Sequence, residues 1–124
     1  MKWMIASDLH GAAYYCRKML EAFEREGADR LFLLGDLLYH GPRNNLPGEY
    51  DPKIVSALLN EHKEHIIAVR GNCEAEVDQM MLEFPCMADY TYLWLENTPV
   101  FVTHGHRYNN HSLPPLATPR TILL

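Results

Sequence analysis

Residue types that bind metal ions follow four short apolar segments of the sequence. Asp8 and His10 come after "WMIAS", Asp36 after "RLFLLG", Asn72 after "HIIAVRG", and His104 after "VFVT". Carboxylate, amide and imidazole ligands together favour Mn, Fe, Zn, Co or Ni over Ca, and over Mg alone. A carboxylate such as Asp36, at the end of a central strand, can give one oxygen to each of two ions. The pattern therefore predicts a divalent metal centre if the four segments meet.

The elements that precede these residues are predicted by the spacing of apolar side chains. Buried strands are expected at Trp3–Ser7, at Leu31–Leu34 and in "HIIAVRGN". A helix between the first two strands has one apolar face, formed by Cys16, Met19, Leu20 and Phe23. A second helix begins with Asp51 as N-cap and Pro52 at its first position. This alternation predicts a mostly parallel sheet covered by helices, with ligands beyond the carboxyl ends of the strands.

The last third of the chain has a different pattern. A short helix that ends at Pro85 is predicted by apolar residues at helical spacing, Val77, Met80, Met81 and Phe84. The segments "YTYLWL" and "VFVT", separated by Glu96-Asn97-Thr98-Pro99, predict a hairpin. The loop "HGPRNNLPGEY" is long enough to have a function of its own. We interpret Cys73 as a small buried residue.

The composition favours a globular domain over a nucleic-acid-binding, membrane-spanning or disulfide-rich protein. The chain has 124 residues, 48% of them hydrophobic, and a formal net charge of -5, which is typical of a single globular domain over residues 1–124. Its basic residues are scattered, so no general nucleic-acid-binding surface is expected. No apolar segment approaches the roughly 20 residues of a membrane span. Three cysteines without a CxxC motif predict no disulfide framework, and we expect a cytoplasmic protein.

The segments "SDLHG", "LLGDLLYHGPRN", "VRGNCE" and "THGH" resemble the ordered motifs of the calcineurin-like metallophosphoesterases. The similarity is greatest to the small bacterial YfcE-type phosphodiesterases, and it extends over about residues 1–117. It implies an α/β fold in which a β-sandwich, with a βαβαβ start and a mixed sheet, is flanked by helices. It also implies that Asp8 and His10 bind one ion, that Asp36 bridges two, and that Asn72 and His104 bind the second.

The resemblance implies an activity as well. A small phosphodiester substrate would be hydrolysed by a hydroxide that bridges two divalent ions, with manganese as the expected metal. Asn72 and His106 would be catalytic, and Arg43 and Asn44 would contact the substrate. An alternative is a non-catalytic binding or assembly module that keeps the fold. A homo-oligomer is left open.

The sequence departs from the family pattern at two places. Cys73 and Tyr39 stand where many members have a His and its paired Asp, which protonate the leaving group. The family also ends its ligand set with Gly-His-x-His, which this chain does not contain, although "PRTILL" resembles the start of the preceding strand. We therefore expect the front portion of a phosphodiesterase of roughly 160–190 residues. Without the C-terminal strands, this portion should bind metal weakly and have weak activity.

Overall fold

The first three strands form a parallel sheet. The computed structural model describes residues 1–124 and contains two three-stranded sheets. In the first sheet the strand order is β1-β2-β3, with β1 at Trp3–Ala6, β2 at Arg30–Leu33 and β3 at Ile66–Ala68. Both strand pairs are parallel. The predicted parallel sheet is therefore confirmed, with β1 and β3 shorter than the sequence pattern suggested and β2 shifted by one residue toward the N-terminus.

Two longer helices connect the strands of this sheet. Helix α1 spans Ala13–Arg25, and all four residues of its predicted apolar face are buried. Helix α2 spans Pro52–Glu61, and a short 3₁₀ helix at Lys63–His65 follows it. The Asp51 side chain accepts a hydrogen bond from the Ile54 N–H at 3.1 Å, which confirms the predicted N-cap. None of the helices has both the length and the apolar composition needed to cross a bilayer.

Helix α3 spans Glu76–Met81 and is shorter than predicted. It ends four residues before Pro85 because Leu82 already has an extended backbone, with φ -92° and ψ 131°. The side-chain amide of Gln79 stabilises the extended segment that follows. Its Nε2 donates to the carbonyl oxygens of Leu82 and Phe84, at 3.1 and 2.9 Å. Side-chain hydrogen bonding thus ends the helix earlier than its apolar spacing indicates.

The second sheet contains the predicted hairpin. Strands β4 (Thr91–Leu95) and β5 (Thr98–Val102) are antiparallel, and β6 (Ile122–Leu123) pairs in parallel with β5. The turn is shorter than predicted, because only Glu96 and Asn97 lie between the strands and Pro99 pairs with Trp94 inside the ladder. Proline has no N–H to donate, but strand β6 pairs only with Val100 and Phe101, so no hydrogen bond to β6 is lost at Pro99. The predicted ligand His104 thus follows a strand of the second sheet, not a fourth strand of the first.

Alternating side chains of β2 divide the core into two layers. Leu31 and Leu33 face the helices, in a cluster that includes the apolar face of α1. Phe32 points the other way and packs in a second cluster with Val100 and Val102 of β5. The two sheets therefore pack face to face with helices on the outer side of the first, as expected for a β-sandwich flanked by helices.

Candidate metal centre

Backbone pairing between β1 and β2 continues beyond the ends of both strands. The Asp8 N–H donates to the Gly35 carbonyl oxygen at 3.0 Å, and the His10 N–H donates to the Asp36 carbonyl oxygen at 2.9 Å. These bonds hold the two loops side by side where they leave the sheet. They place Asp8, His10 and Asp36 next to one another, as the sequence predicted for strand ends at one edge.

The same three residues have a left-handed backbone conformation. Their φ angles are +60° for Asp8, +47° for His10 and +56° for Asp36. Non-glycine residues rarely adopt such angles, which cost on the order of 1–3 kcal/mol each and concentrate at functional sites. The chain has five non-glycine residues with positive φ, and three of them are these candidate ligands. The paired loops hold this conformation.

Two glycines allow the loop after β3 to approach the loop after β2. A Cβ at Gly71 would collide with the Asp36 carboxylate, and a Cβ at Gly35 would collide with the Gly71 backbone. The Gly35 φ of +102° also disfavours any larger residue. This close approach brings Asn72, the residue after Gly71, to the Asp36 carboxylate.

The Asp36 carboxylate is at the centre of the cluster and is only 2% exposed. Its Oδ1 accepts a hydrogen bond from the Cys73 N–H at 2.8 Å. Its Oδ2 lies 3.7 Å from Nε2 of His10 and 3.4 Å from Nε2 of His104. Asp8 completes one side, since its Oδ1 is 3.2 Å from Nε2 of His10. One buried carboxylate oxygen thus lies between two imidazoles.

Both imidazoles are oriented by backbone carbonyl groups. Nδ1 of His10 donates to the Tyr39 carbonyl oxygen at 2.8 Å, and Nδ1 of His104 donates to the Leu34 carbonyl oxygen at 2.7 Å. Because a carbonyl oxygen only accepts, each Nδ1 carries a proton, so Nε2 is the ring nitrogen whose lone pair could bind a metal ion. That lone pair faces carboxylate oxygens in His10. In His104 it faces Asp36 and also the Asn72 Oδ1, at 2.9 Å.

A divalent cation placed among these atoms would be attracted by all of them. Histidine ligands of metals commonly donate their other ring N–H to a backbone carbonyl, and both imidazoles make such a hydrogen bond here. The ligand atoms of Asp8, Asp36 and His104 all lie within 4.8 Å of one another. The donors are carboxylate oxygens, an amide oxygen and imidazole nitrogens, which fit divalent transition metals.

Glu74 is a structural residue of this site that the sequence analysis missed. It is buried, and its two carboxylate oxygens accept hydrogen bonds from different loops: the Leu37 N–H at 2.8 Å and the Gly71 N–H at 2.5 Å. Glu74 therefore joins the loop that carries Asp36 to the loop that carries Asn72. Its place in "VRGNCE" gave no spacing signal, because its partners are backbone groups.

The interpretation of Cys73 as only a small buried residue is wrong. Its side chain is half-buried and lines the cavity at the cluster, and its Sγ lies within 4.8 Å of the ligand atoms of His10 and Asp36. Burial, together with the negative charge of Asp36 and a hydrogen bond to it, raises the pKa of the Cys73 thiol to about 11. The thiol is thus protonated at neutral pH and is a weak acid.

The remaining predicted residues lie in two cavities. Arg43 and Asn44 line the cavity of about 690 Å³ that contains the Asp36 cluster. His106 is exposed and lines a neighbouring cavity of about 510 Å³, which also contacts Asn72. Its ring centroid is 5.3 Å from that of His104. The structure therefore brings Arg43 and Asn44 to the cluster and places His106 just beyond Asn72.

Comparison with known proteins identifies the family. Residues 1–118 match the family model of the calcineurin-like phosphoesterase superfamily domain. The chain belongs to this superfamily. The resemblance drawn from the sequence motifs is thus confirmed, and the two-sheet fold is that of the superfamily.

Several relatives in the superfamily are similar over most of this chain. Phosphodiesterase YfcE of Escherichia coli K12 and phosphodiesterase YfcE of E. coli O6:H1 strain CFT073 are each 49% identical over 116 residues, or 94% of this chain. The solved structure of YfcE, described as a phosphoesterase from E. coli, matches with a TM-score of 0.91 and covers 94% of this chain and 64% of that one. The chain spans 63% of the length of these curated relatives.

Proposed function

We propose that the protein hydrolyses phosphodiesters with two divalent metal ions bound at this centre. The observation that carries the proposal is the Asp36 Oδ2, which lies between the Nε2 atoms of two oriented histidines. Asp8 and His10 would hold one ion with Asp36, and Asn72 and His104 would hold the second with the same carboxylate. The reaction class is supported by 49% identity to proteins named phosphodiesterase YfcE.

The chain's own residues supply a rigid ligand set. Two bound ions would polarise the phosphoryl oxygens and lower the pKa of a water molecule. The carbonyl groups of Tyr39 and Leu34 fix both imidazoles, and the Cys73 N–H fixes the Asp36 carboxylate. Ligands held in this way need little reorganisation during the reaction, which is the main source of electrostatic catalysis.

Substrate contacts are proposed for four further groups. The Asn72 Oδ1 faces His104, which leaves the Asn72 amide nitrogen to donate to a phosphoryl oxygen. His106, beyond Asn72, would contact the phosphate or assist a proton transfer. Arg43 and Asn44 would bind the negative charge of the substrate from the cavity wall.

The weak acidity of Cys73 limits which esters react well. A thiol, with an ordinary pKa of about 8.5, is a poor substitute for a positioned imidazolium as proton donor to a departing alkoxide. We therefore propose that substrates with stable leaving groups, such as phenolates, react fastest. Manganese is the proposed metal, because it accepts the mixed oxygen and nitrogen ligands of this centre. The three free cysteines support a reducing compartment, and we propose the cytoplasm.

The test is hydrolysis of bis(4-nitrophenyl) phosphate by the purified chain in a Mn²⁺ titration. Turnover should rise with Mn²⁺ and disappear with a chelator. His104→Gln should lower the rate at least about 100-fold, because it removes an oriented metal ligand. His111→Gln is the matched control, since this exposed histidine lies outside the cluster and should retain the wild-type rate.

Two results would contradict the proposal. The first is turnover that persists in chelator, and the second is turnover that His104→Gln leaves unchanged. Tight Mn²⁺ binding without hydrolysis of any mono- or diester would instead favour the non-catalytic binding module.

A further inference from the structure

A second cavity of about 370 Å³ adjoins the metal-centre cavity. Two residues, Tyr39 and Cys73, line both cavities. Cys73 also donates its backbone N–H to the Asp36 carboxylate. A group attached to a phosphate at the cluster would therefore have to pass only the Tyr39 and Cys73 side chains to enter the second cavity.

The walls of this second cavity, which we call the apolar pocket, are mainly hydrophobic and aromatic. They include Leu38, Tyr39, Tyr50, Cys73, Val77 and Met81, and no Lys, Arg or His. Asp78 also lines the pocket, but it is buried and its carboxylate accepts a hydrogen bond from the Ala75 N–H at 2.8 Å. The pocket therefore has no cation that could bind a second phosphate.

Helix α3 exposes apolar side chains at this pocket in a way that its sequence did not predict. Val77 is 60% exposed and lines the pocket, whereas the acidic Asp78 beside it is turned inward. Open apolar surface is unfavourable in water, and apolar concavities are typical of ligand-binding sites. Val77 differs from Met80, which is 84% exposed on the same helix, because Val77 lines an apolar concavity beside the centre; the concavity, and not the exposure alone, points to a ligand group.

The size and the walls of the pocket suit an aromatic group. A cavity of ~150 Å³ holds benzene, so about 370 Å³ has room for a fused ring system. Two of its lining residues, Tyr39 and Tyr50, are aromatic, and both pack against the ring of His40, which lies behind the pocket wall. The ring centroids of Tyr39 and His40 are 4.7 Å apart, and those of His40 and Tyr50 are 5.5 Å apart. Such edges pack well against the faces of other rings.

We propose that the apolar pocket binds an aromatic or other apolar ester group of the substrate while its phosphate lies at the metal centre. This inference rests on the proposed function, because it assigns the pocket to the same phosphodiester. The preferred substrate would then have two different ends. The metals and Arg43 would bind its phosphate, and the pocket beyond Tyr39 and Cys73 would bind its uncharged apolar group.

The test compares Val77→Gln with Met80→Gln as the matched control. Both substitutions replace an exposed apolar residue of α3 with an amide, but Met80, which is 84% exposed, does not line the pocket. In Mn²⁺-loaded protein, we expect naphthylmethylphosphonate to bind about 10- to 100-fold more tightly than methylphosphonate. Val77→Gln should reduce this preference at least about fivefold, and Met80→Gln should leave it unchanged.

A second measurement needs neither metal nor turnover. Binding of 6-fluoro-2-naphthol to metal-free protein, followed by ¹⁹F NMR, should be weakened by Val77→Gln and not by Met80→Gln. The proposal is overturned if the two phosphonates bind equally, if both variants have the same effect, or if naphthol binds while the naphthyl phosphonate gains nothing. If every diester resists hydrolysis, the proposed reaction fails, while the two binding measurements still decide whether the pocket takes apolar groups.

Discussion

Replacement of Glu74 by Gln tests how the two ligand-bearing loops are held together. The Glu74 carboxylate accepts hydrogen bonds from the Leu37 N–H and the Gly71 N–H, one on each oxygen. Glutamine has a single acceptor oxygen, and its amide nitrogen only donates. Glu74→Gln therefore leaves one of the two backbone N–H groups without a partner in a buried environment.

The expected loss of stability follows from these two bonds. An unpaired buried N–H costs about 1–3 kcal/mol, and replacing a charged acceptor by a neutral one weakens the remaining bond by about 1 kcal/mol. We expect Glu74→Gln to lower the free energy of unfolding by about 2–4 kcal/mol, a large part of the ~5–15 kcal/mol typical of a domain. Because Asp36 and Asn72 lie on the two loops, Mn²⁺ affinity should also fall about tenfold or more.

The assay is urea unfolding in chelator, followed by tryptophan fluorescence, together with a separate Mn²⁺ titration. Glu76→Gln is the control, because it makes the same chemical change at an exposed residue two positions along the chain. Its effect on stability should stay within about 0.5 kcal/mol. If Glu74→Gln is no less stable than this control and binds Mn²⁺ as well as wild type, Glu74 does not hold the two loops.

Further outcomes follow from three individual side chains, Cys73, Cys86 and Asp51. Cys73→Ser should change the free energy of unfolding by less than about 1 kcal/mol in urea, since the backbone N–H bond to Asp36 remains. Cys73→His should flatten the dependence of the hydrolysis rate on the pKa of the leaving group. An unchanged slope of that dependence would place the residue away from the leaving oxygen. Burial, with lesser contributions from the charges of Glu74 and Asp78, raises the pKa of Cys86 from 9.0 to about 11. The folded state therefore favours the neutral thiol, so this stability is present below pH 9 and is lost as pH rises to about 11. Cys86→Ala should reduce the alkaline loss by up to about 3 kcal/mol, and an unchanged pH profile would refute the shift. Asp51→Ala should cost about 1 kcal/mol in thermal unfolding, because it removes the side-chain bond to the Ile54 N–H, whereas Asp51→Asn should retain most of it.

The part of the fold that the sequence predicted depends on local patterns. The apolar face of α1 and the N-cap at Asp51 have short-range signals, and the structure confirms both. Convergence of Asp8, His10 and Asp36 was also predictable, because parallel neighbouring strands end at one edge of a sheet. Asn72 and His104 were predicted on the same ground, although His104 reaches the cluster from the second sheet.

The features that the sequence did not predict depend on contacts between distant segments. Glu74 binds backbone groups, which no pattern of residue types reveals. Helix α3 was predicted from apolar spacing, yet Val77 is exposed and Asp78 is buried because the latter's carboxylate binds the Ala75 N–H at the start of the helix. Cys73 was interpreted as a small buried residue from its type, although the family resemblance placed it at the leaving-group position; its place beside Asp36 depends on the close approach of Gly35 and Gly71.

The number of Mn²⁺ ions bound per chain in Asp36→Asn tests whether one carboxylate joins two metal positions. Electron paramagnetic resonance of free Mn²⁺ gives this number and both affinities for wild type, Asp8→Asn and Asp36→Asn. We expect two ions in wild type at saturation, one weakened position in Asp8→Asn, and both positions weakened together in Asp36→Asn. Two ions bound to Asp36→Asn with wild-type affinities would contradict the bridging role of Asp36.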